Sequence, residues 1–239
     1  YHNDSIFELK HNHTYKIKVE YAKCTKTKGY LHLYYTKDMP EKSTKVYLPE
    51  GEWFDVFHRG NYLGNRNIKK KFSLEETPIF VRAGALLPLY KNIGNISKMS
   101  LKEVIYDYYP TKNRHVKDFF FEDDGVTTAY KVGVCRINNY ETYFDQAENC
   151  YVIKLAKAVG QIDDDITSRK AFLKMHVLDG EFIEKATING ENAKITRHDH
   201  KTDAFPFASK DFSSDSKTAT LKFRQNIKED YVIKLFIRK

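Results

Sequence analysis

Apolar and polar positions alternate with a period of two along most of the chain. That spacing turns one face of an extended strand toward a core and the other toward water. Tyr15, Ile17, Val19 and Tyr21 alternate with Lys16, Lys18 and Glu20, and Leu31, Leu33 and Tyr35 share a face after the turn at Lys28-Gly29. Val46-Tyr47-Leu48 reads as a short strand, Pro49-Glu50-Gly51-Glu52 as a turn, and Trp53 to Phe57 as the returning strand. Two apolar runs, Thr77 to Arg82 and Ala85 to Leu89, are split by Ala83-Gly84. Further strands are predicted around Val104, Tyr106 and Tyr108, over Asp118 to Glu122, Cys150 to Leu155 and Phe172 to Leu178, and over Ile183 to Ile188 ahead of the hairpin signal Asn189-Gly190. Lys194 to Thr196, Thr218 to Phe223 and Tyr231 to Ile237 complete the series.

No window of about 12 residues carries a 3.6-residue period. Short strands at spacings of roughly 8–12 residues, with turn chemistry between them, predict an all-β fold of β-sandwich type. A smaller N-terminal sheet region and a larger C-terminal sandwich are expected, joined by the Asn-, Gly-, Ser- and Lys-rich stretch from Lys91 to Ser100. Lys201 to Ser216 reads as a long polar loop. A (β/α)₈ barrel is not expected, because helices never alternate with the strands.

Composition narrows the class. Of the 239 residues, 41% are hydrophobic and 14% aromatic, too apolar for a disordered chain. No apolar run approaches the roughly 20 residues of a membrane-spanning helix. Lys+Arg exceeds Asp+Glu by 40 to 32, a net charge of +8, but the lysines alternate with apolar residues and Lys69-Lys70-Lys71 is the one run. That pattern predicts a solvated, edge-blunting face rather than a nucleic-acid partner. Cys24, Cys135 and Cys150 form neither a disulfide framework nor a zinc pattern, although one pair, Cys135 with Cys150, stays open. The Asn-x-Ser/Thr triplets at Asn3, Asn12 and Asn95 carry little weight at this Asn content. The chain opens at Tyr1 with no initiator Met and is expected to be a piece of a longer polypeptide.

Candidate chemistry is sparse. The acidic clusters are Glu122-Asp123-Asp124 and Asp163-Asp164-Asp165. Neighbours on a strand point to opposite faces, so Glu122 and Asp123 do not make an acid–nucleophile pair. Asp123-Asp124-Gly125 is read as a turn whose carboxylates take nearby backbone N–H groups, and Asp163 to Asp165 as a solvated loop without calcium-loop spacing. His11 with His13 and His198 with His200 share strand faces, but nothing beside them completes a metal site, and no metal or other cofactor is expected. G-x-S-x-G, P-loop and G-x-G-x-x-G patterns are absent. Among the aromatics, Trp53, Phe54, Phe57 and Tyr62 cluster. Exposed rings of this kind stack on sugars, whereas the shared parity of Trp53 and Phe57 predicts core packing between sheets.

The ordered run Val46-Tyr47-Leu48-Pro49-Glu50-Gly51-Glu52-Trp53-Phe54-Asp55, then Phe57, Gly60 and Tyr62, then Pro78-Ile79-Phe80-Val81-Arg82-Ala83-Gly84-Ala85-Leu86-Leu87-Pro88, resembles the β-sandwich that follows the catalytic barrel in glycoside hydrolase family 31, the α-glucosidase and α-xylosidase family. Phe119-Phe120-Phe121-Glu122-Asp123-Asp124-Gly125 with Tyr130 and Gly133, and downstream Ala186-Thr187-Ile188-Asn189-Gly190, resemble signatures of that family's distal β-domain. Residues 1 to 40 are similar instead to the closing strands of an anthrax-protective-antigen-type sugar-binding module, with Asn12 or His13 where that module has Gly. The resemblance implies three parts: partial sugar-module-like strands over 1–40, a proximal β-domain over 41–92 and a distal β-sandwich over 93–239.

It also implies a non-catalytic portion of a retaining α-glycosidase. Its partners would be the parent's (β/α)₈ barrel and an α-linked oligosaccharide or glycan, and a secreted, periplasmic or cell-surface setting is favoured, with an endomembrane lumen as the other. The family's nucleophile sits in a W-x-D-M-N motif of the barrel. The single Trp here leads into Phe54-Asp55-Val56, which belongs to the V-Y-L-P motif, so no catalytic residue carries over and Asp55 is not a nucleophile. Trp53 and Tyr62 remain as candidate sugar contacts. An independent carbohydrate-binding module and a structural or adhesive β-sandwich are the alternative readings.

Overall fold

The computed structural model describes residues 43–56, 60–72, 77–90, 100–162, 164–198 and 218–238, together with Lys16. The chain divides into two compact units, Tyr1–Pro40 and Glu41–Lys239, and every described residue except Lys16 belongs to the second. The expected strands over Tyr15–Tyr21 and Leu31–Tyr35 lie outside the described residues, as do the loop at 201–216 and most of the stretch between Lys91 and Ser100.

Seventeen strands build the described part. In order they are β1 (Ser43–Leu48), β2 (Glu52–Asp55), β3 (Asn61–Leu63), β4 (Arg66–Lys71), β5 (Phe80–Arg82), β6 (Leu86–Leu89), β7 (Glu103–Tyr108), β8 (Val116–Glu122), β9 (Arg136–Asp145), β10 (Cys150–Leu155), β11 (Val159–Gly160), β12 (Ser168–His176), β13 (Ile183–Ile188), β14 (Glu191–Ala193), β15 (Ile195–His198), β16 (Thr218–Asn226) and β17 (Tyr231–Ile237). A single 3₁₀ turn, Ala129–Val132, interrupts them and ends on Gly133 in the left-handed region. The all-β expectation holds, with smaller sheets N-terminal and the large sandwich C-terminal.

Four sheets result. β1 pairs with β4, and β2 lies between β3 and β5. The larger body stacks a five-stranded sheet, β15-β16-β12-β7-β6, on a seven-stranded one, β11-β9-β10-β17-β13-β14 with β8 along the other side of β9. All neighbours are antiparallel except β7 and β12. Alternating inward residues of both large sheets interdigitate, as a sandwich requires. Val104, Tyr106, Tyr108, Ala171, Leu173 and Met175 face Tyr151, Ile153, Ile233 and Leu235, and all are essentially inaccessible to water. A second apolar cluster of Phe54, Val81, Ala83 and Tyr109 seats the three-stranded sheet on the larger body.

Several elements lack an apolar signature. β9 escapes an apolar count because its inward positions include Arg136, Asn138 and Thr142, all buried. β12 begins four residues before the expected Phe172, at a point where the buried inward residue is Arg169. β3 and β4 fall among the Gly and Lys punctuation of 60–71. The Asp123-Asp124-Gly125 turn is as expected: the Gly125 N–H donates to Asp123 (2.8 Å), and the Val126 and Thr127 N–H groups donate to Asp124 (3.0 and 2.9 Å). Cys135 and Cys150 are both free, so the open disulfide pairing is not formed, and burial pushes the Cys150 thiol up to about 11.

Candidate functional site

The sugar-contact candidates sit on the three-stranded sheet. Glu50-Gly51 turns the chain with Gly51 at φ +128°, and β2 then runs back between β3 and β5. Trp53 pairs with Tyr62 on one side and with Arg82 on the other, and Asp55 pairs with Phe80. Residues directly opposite one another, and residues two apart on one strand, share a face. One face therefore carries Trp53, Asp55, Tyr62, Phe80 and Arg82, and the other carries Phe54 and Val81.

The two candidates are thus brought side by side, and neither is freely exposed. The Trp53 indole N–H donates to the Pro49 carbonyl at 2.8 Å. The Tyr62 ring meets Phe80 edge to face at 6.1 Å, with the Lys70 ammonium 5.2 Å from its centre. Lys70 also donates to the buried Asp55 carboxylate. Burial works against the Lys70 charge, but the bonds to Asp55 and Tyr62 outweigh it and hold the ammonium above its usual pKa. The middle lysine of the Lys69-Lys70-Lys71 run is therefore held in an ion pair. Parity predicts Trp53 and Phe57 as the core pair; Phe57 lies outside the described residues, and it is Phe54 that enters the core, 5.3 Å from Tyr109.

Behind Phe54 lies an arrangement that periodicity does not reveal. His176 stacks on Tyr109 at 4.3 Å and shares a hydrogen bond with Asp107, Nε2 to Oδ1, at 2.9 Å. The Tyr109 hydroxyl donates to the other Asp107 oxygen, also at 2.9 Å. Burial alone would raise the Asp107 pKa, but His176, Lys174 and the Tyr109 bond bring it below the usual carboxylate range. Asp107→Asn keeps the shape but removes the charge facing His176. It is expected to cost about 1–3 kcal/mol, measured by urea unfolding at neutral pH.

The most elaborate polar cluster joins the two large sheets. Glu122 accepts from Arg136 Nε (2.9 Å), from Arg169 Nη1 and from the Tyr90 hydroxyl (2.7 Å). Arg169 also donates to Gln225 (2.9 Å) and to the Tyr106 hydroxyl (2.7 Å), and Tyr106 donates in turn to Gln225 (2.7 Å). Arg136 closes a bidentate pair with Asp164, both bonds 3.1 Å, so Asp164 is tied rather than solvated as expected for its loop. Burial pushes the Tyr106 phenol up to about 12. Burial also works against the Glu122 charge, yet the two arginines and Tyr90 hold its pKa below normal.

Among the described residues, then, the buried carboxylates Asp55, Asp107 and Glu122 each face a basic side chain. No group of three or more His, Cys, Asp or Glu among them is placed to hold a metal ion. No described helix is long and apolar enough to cross a membrane.

Residues 33–87, which span the Trp53–Tyr62–Arg82 face, match the profile of the glycosyl hydrolase family 31 C-terminal domain. Over these residues the chain is similar to a family 31 C-terminal domain. It is 36% identical over 91 residues to the α-xylosidase of Saccharolobus solfataricus, a match covering 37% of this chain and 12% of that protein. It is 29% identical over 113 residues to a 1,6-α-glucosyltransferase of Sporosarcina globispora, covering 46% of this chain and 8% of that protein. The matches thus span only about a tenth of these relatives' length.

In fold, the chain is similar to a family 31 dextranase of Flavobacterium johnsoniae, with a TM-score of 0.65 at 20% identity over 84% of this chain and 25% of that one. It is also similar to an α-1,4-glucan lyase of Gracilariopsis lemaneiformis, with a TM-score of 0.57 at 16% identity over 82% and 21%. The part in common is all-β, and it accounts for a minor share of each of those proteins.

Proposed function

We propose that this family 31 domain braces the catalytic barrel of a retaining α-glycosidase and takes no chemical part in the reaction. The observation that carries the reading is an exposed apolar platform on the outer face of the seven-stranded sheet. Phe121, Ile137 and Val159 form one row across β8, β9 and β11, with Phe119 beside them on β8. Tyr130 packs edge-on to Phe121 at 6.4 Å. Phe119 is 57% and Phe121 47% exposed, which is uncommon for two phenylalanines on one strand face and typical of a surface meant to be covered. The relatives extend far beyond the matched region, and the proposed occupant is the (β/α)₈ barrel that the family resemblance implies.

In such a parent, two barrel carboxyls about 5–5.5 Å apart perform the retaining displacement through a glycosyl-enzyme intermediate. The buried carboxylates here are engaged in ion pairs, which agrees with a supporting role. The 239-residue chain assayed alone on aryl α-glucoside and α-xyloside is expected to show no turnover, and turnover would overturn the reading. Phe119→Ser with Phe121→Ser is expected to leave unfolding free energy within about 0.5 kcal/mol. The same pair should abolish association with the parent's barrel supplied as a separate polypeptide.

The reading extends to glycan. Trp53 and Tyr62, adjacent on one sheet face, would touch α-linked oligosaccharide at the margin of the barrel, and residues 1–40 would be the closing strands of a sugar-binding module. Calorimetric binding of a maltooligosaccharide that is lost in Tyr62→Ala would support this contact, and binding unchanged in that variant would remove it.

A further inference from the structure

A cavity of about 580 Å³ opens where the five-stranded sheet meets the segment leading into β7. Its described walls come from Ser100, Lys102, Glu103, Ser168, Lys170 and Arg224, together with Arg169. The sheet register explains the grouping: Lys170 in the middle strand lies opposite Arg224 on one side and Glu103 on the other. Lys102 is drawn in by the backbone, since the Lys170 N–H donates to its carbonyl at 3.0 Å. Arg169 turns inward and spends its guanidinium on Glu122, Gln225 and Tyr106. Three outward cations therefore surround the cavity against the single carboxylate of Glu103.

Two features make this more than a basic surface. Arg224 is oriented in advance, because its Nε and Nη2 both donate to the Ser168 hydroxyl at 3.1 Å and leave its remaining N–H groups available. The Lys102 and Lys170 ammonium groups meet no carboxylate among the described residues. A fixed guanidinium with two uncommitted ammonium groups is complementary to an oxyanion. The volume exceeds that of a bare phosphate and suits a monosaccharide-sized body, with the aliphatic stems of the lysines and the arginine as its walls.

We propose that this pocket binds the oxyanion of an acidic sugar, either a sugar phosphate or a uronate. The site lies on the five-stranded sheet, apart from the Trp53–Tyr62 face, and does not depend on the bracing role. Calorimetric titration of the 239-residue chain with glucose 6-phosphate, with glucuronate and with neutral glucose tests it. One of the anionic sugars is expected to saturate a single site, and which of them binds more tightly distinguishes phosphate from carboxylate. Glucose is expected not to saturate the site, and affinity for the acidic sugar is expected to fall as salt screens the cations. Lys170→Gln with Arg224→Gln, both solvent-facing, should weaken that binding at least tenfold while leaving the urea midpoint unchanged. Absence of saturable binding by either acidic sugar would overturn the proposal, as would equal affinity in the double variant or equal binding of glucose.

Discussion

Glu122→Ala is expected to destabilise the domain by about 3–5 kcal/mol, the range for removing one partner of a buried charge pair. The substitution leaves Arg136 and Arg169 without the carboxylate they share, and both are buried. It also takes the acceptor from Tyr90. Glu122 stands on β8 and Arg169 on β12, so the loss falls on the joint between the two large sheets. Chemical denaturation at pH 7 measures it.

Glu122→Gln separates charge from shape, because an amide offers one acceptor where two arginines and a phenol converge. Its cost should approach that of the alanine variant. Acid provides a further check. Glu122 and Asp107 both have folded pKa values held below normal, so each binds its proton less readily in the folded chain than in the unfolded one. Their stabilisation is present in full above the unfolded carboxyl values near pH 4 and is lost as pH falls through the lower folded values. Unfolding free energy should therefore drop steeply below about pH 4 in the natural chain. In a Glu122→Gln, Asp107→Asn chain the drop should be visibly shallower; an equal slope would show that other carboxylates carry the acid response.

Gly64→Ala is expected to cost about 3 kcal/mol, beyond the ordinary range for a half-exposed position. A methyl group there would lie 1.7 Å from the Pro49 carbonyl oxygen, and that atom is main chain and cannot swing aside. The same oxygen accepts the Trp53 indole N–H, whose nitrogen would be 3.0 Å from the added carbon. Relief of the clash must move the Pro49 turn, the indole or both. Since Trp53 is the one tryptophan of the chain, its fluorescence reports on this spot alone. A red-shifted emission maximum together with a lowered urea midpoint is the expected result. An unshifted emission at unchanged midpoint would mean that the turn yields freely.

How much of the fold is visible in the sequence depends on what each position has to do. Strands whose inward residues are apolar, such as Tyr231–Ile237 with its buried Tyr, Ile, Leu and Ile, declare themselves by alternation. β9 does not, because arginine, asparagine and threonine occupy inward positions on it, Arg136 paired with Glu122 on β8 and the Thr142 hydroxyl donating to the Gly84 carbonyl. The same cause hides the start of β12. Long-range ion pairing of this kind, 47 residues apart for Glu122 and Arg169, leaves no local trace. The sugar-contact candidates are legible as an aromatic cluster. That Trp53 and Tyr62 are registered neighbours, and that Phe54 rather than Trp53 enters the core, follows from strand ends that turn chemistry near Gly51 and Gly60 sets and that parity alone leaves ambiguous.

β17 lies between β10 and β13, at the middle of its sheet, although it comes after every other described strand along the chain. During synthesis the ribosome must therefore release nearly all of this segment before the sheet can close. Until then β10 and β13 each present an open edge to other nascent chains. Truncation just before Tyr231 would remove the keystone rather than trim a border, and such a product is destined for proteolysis.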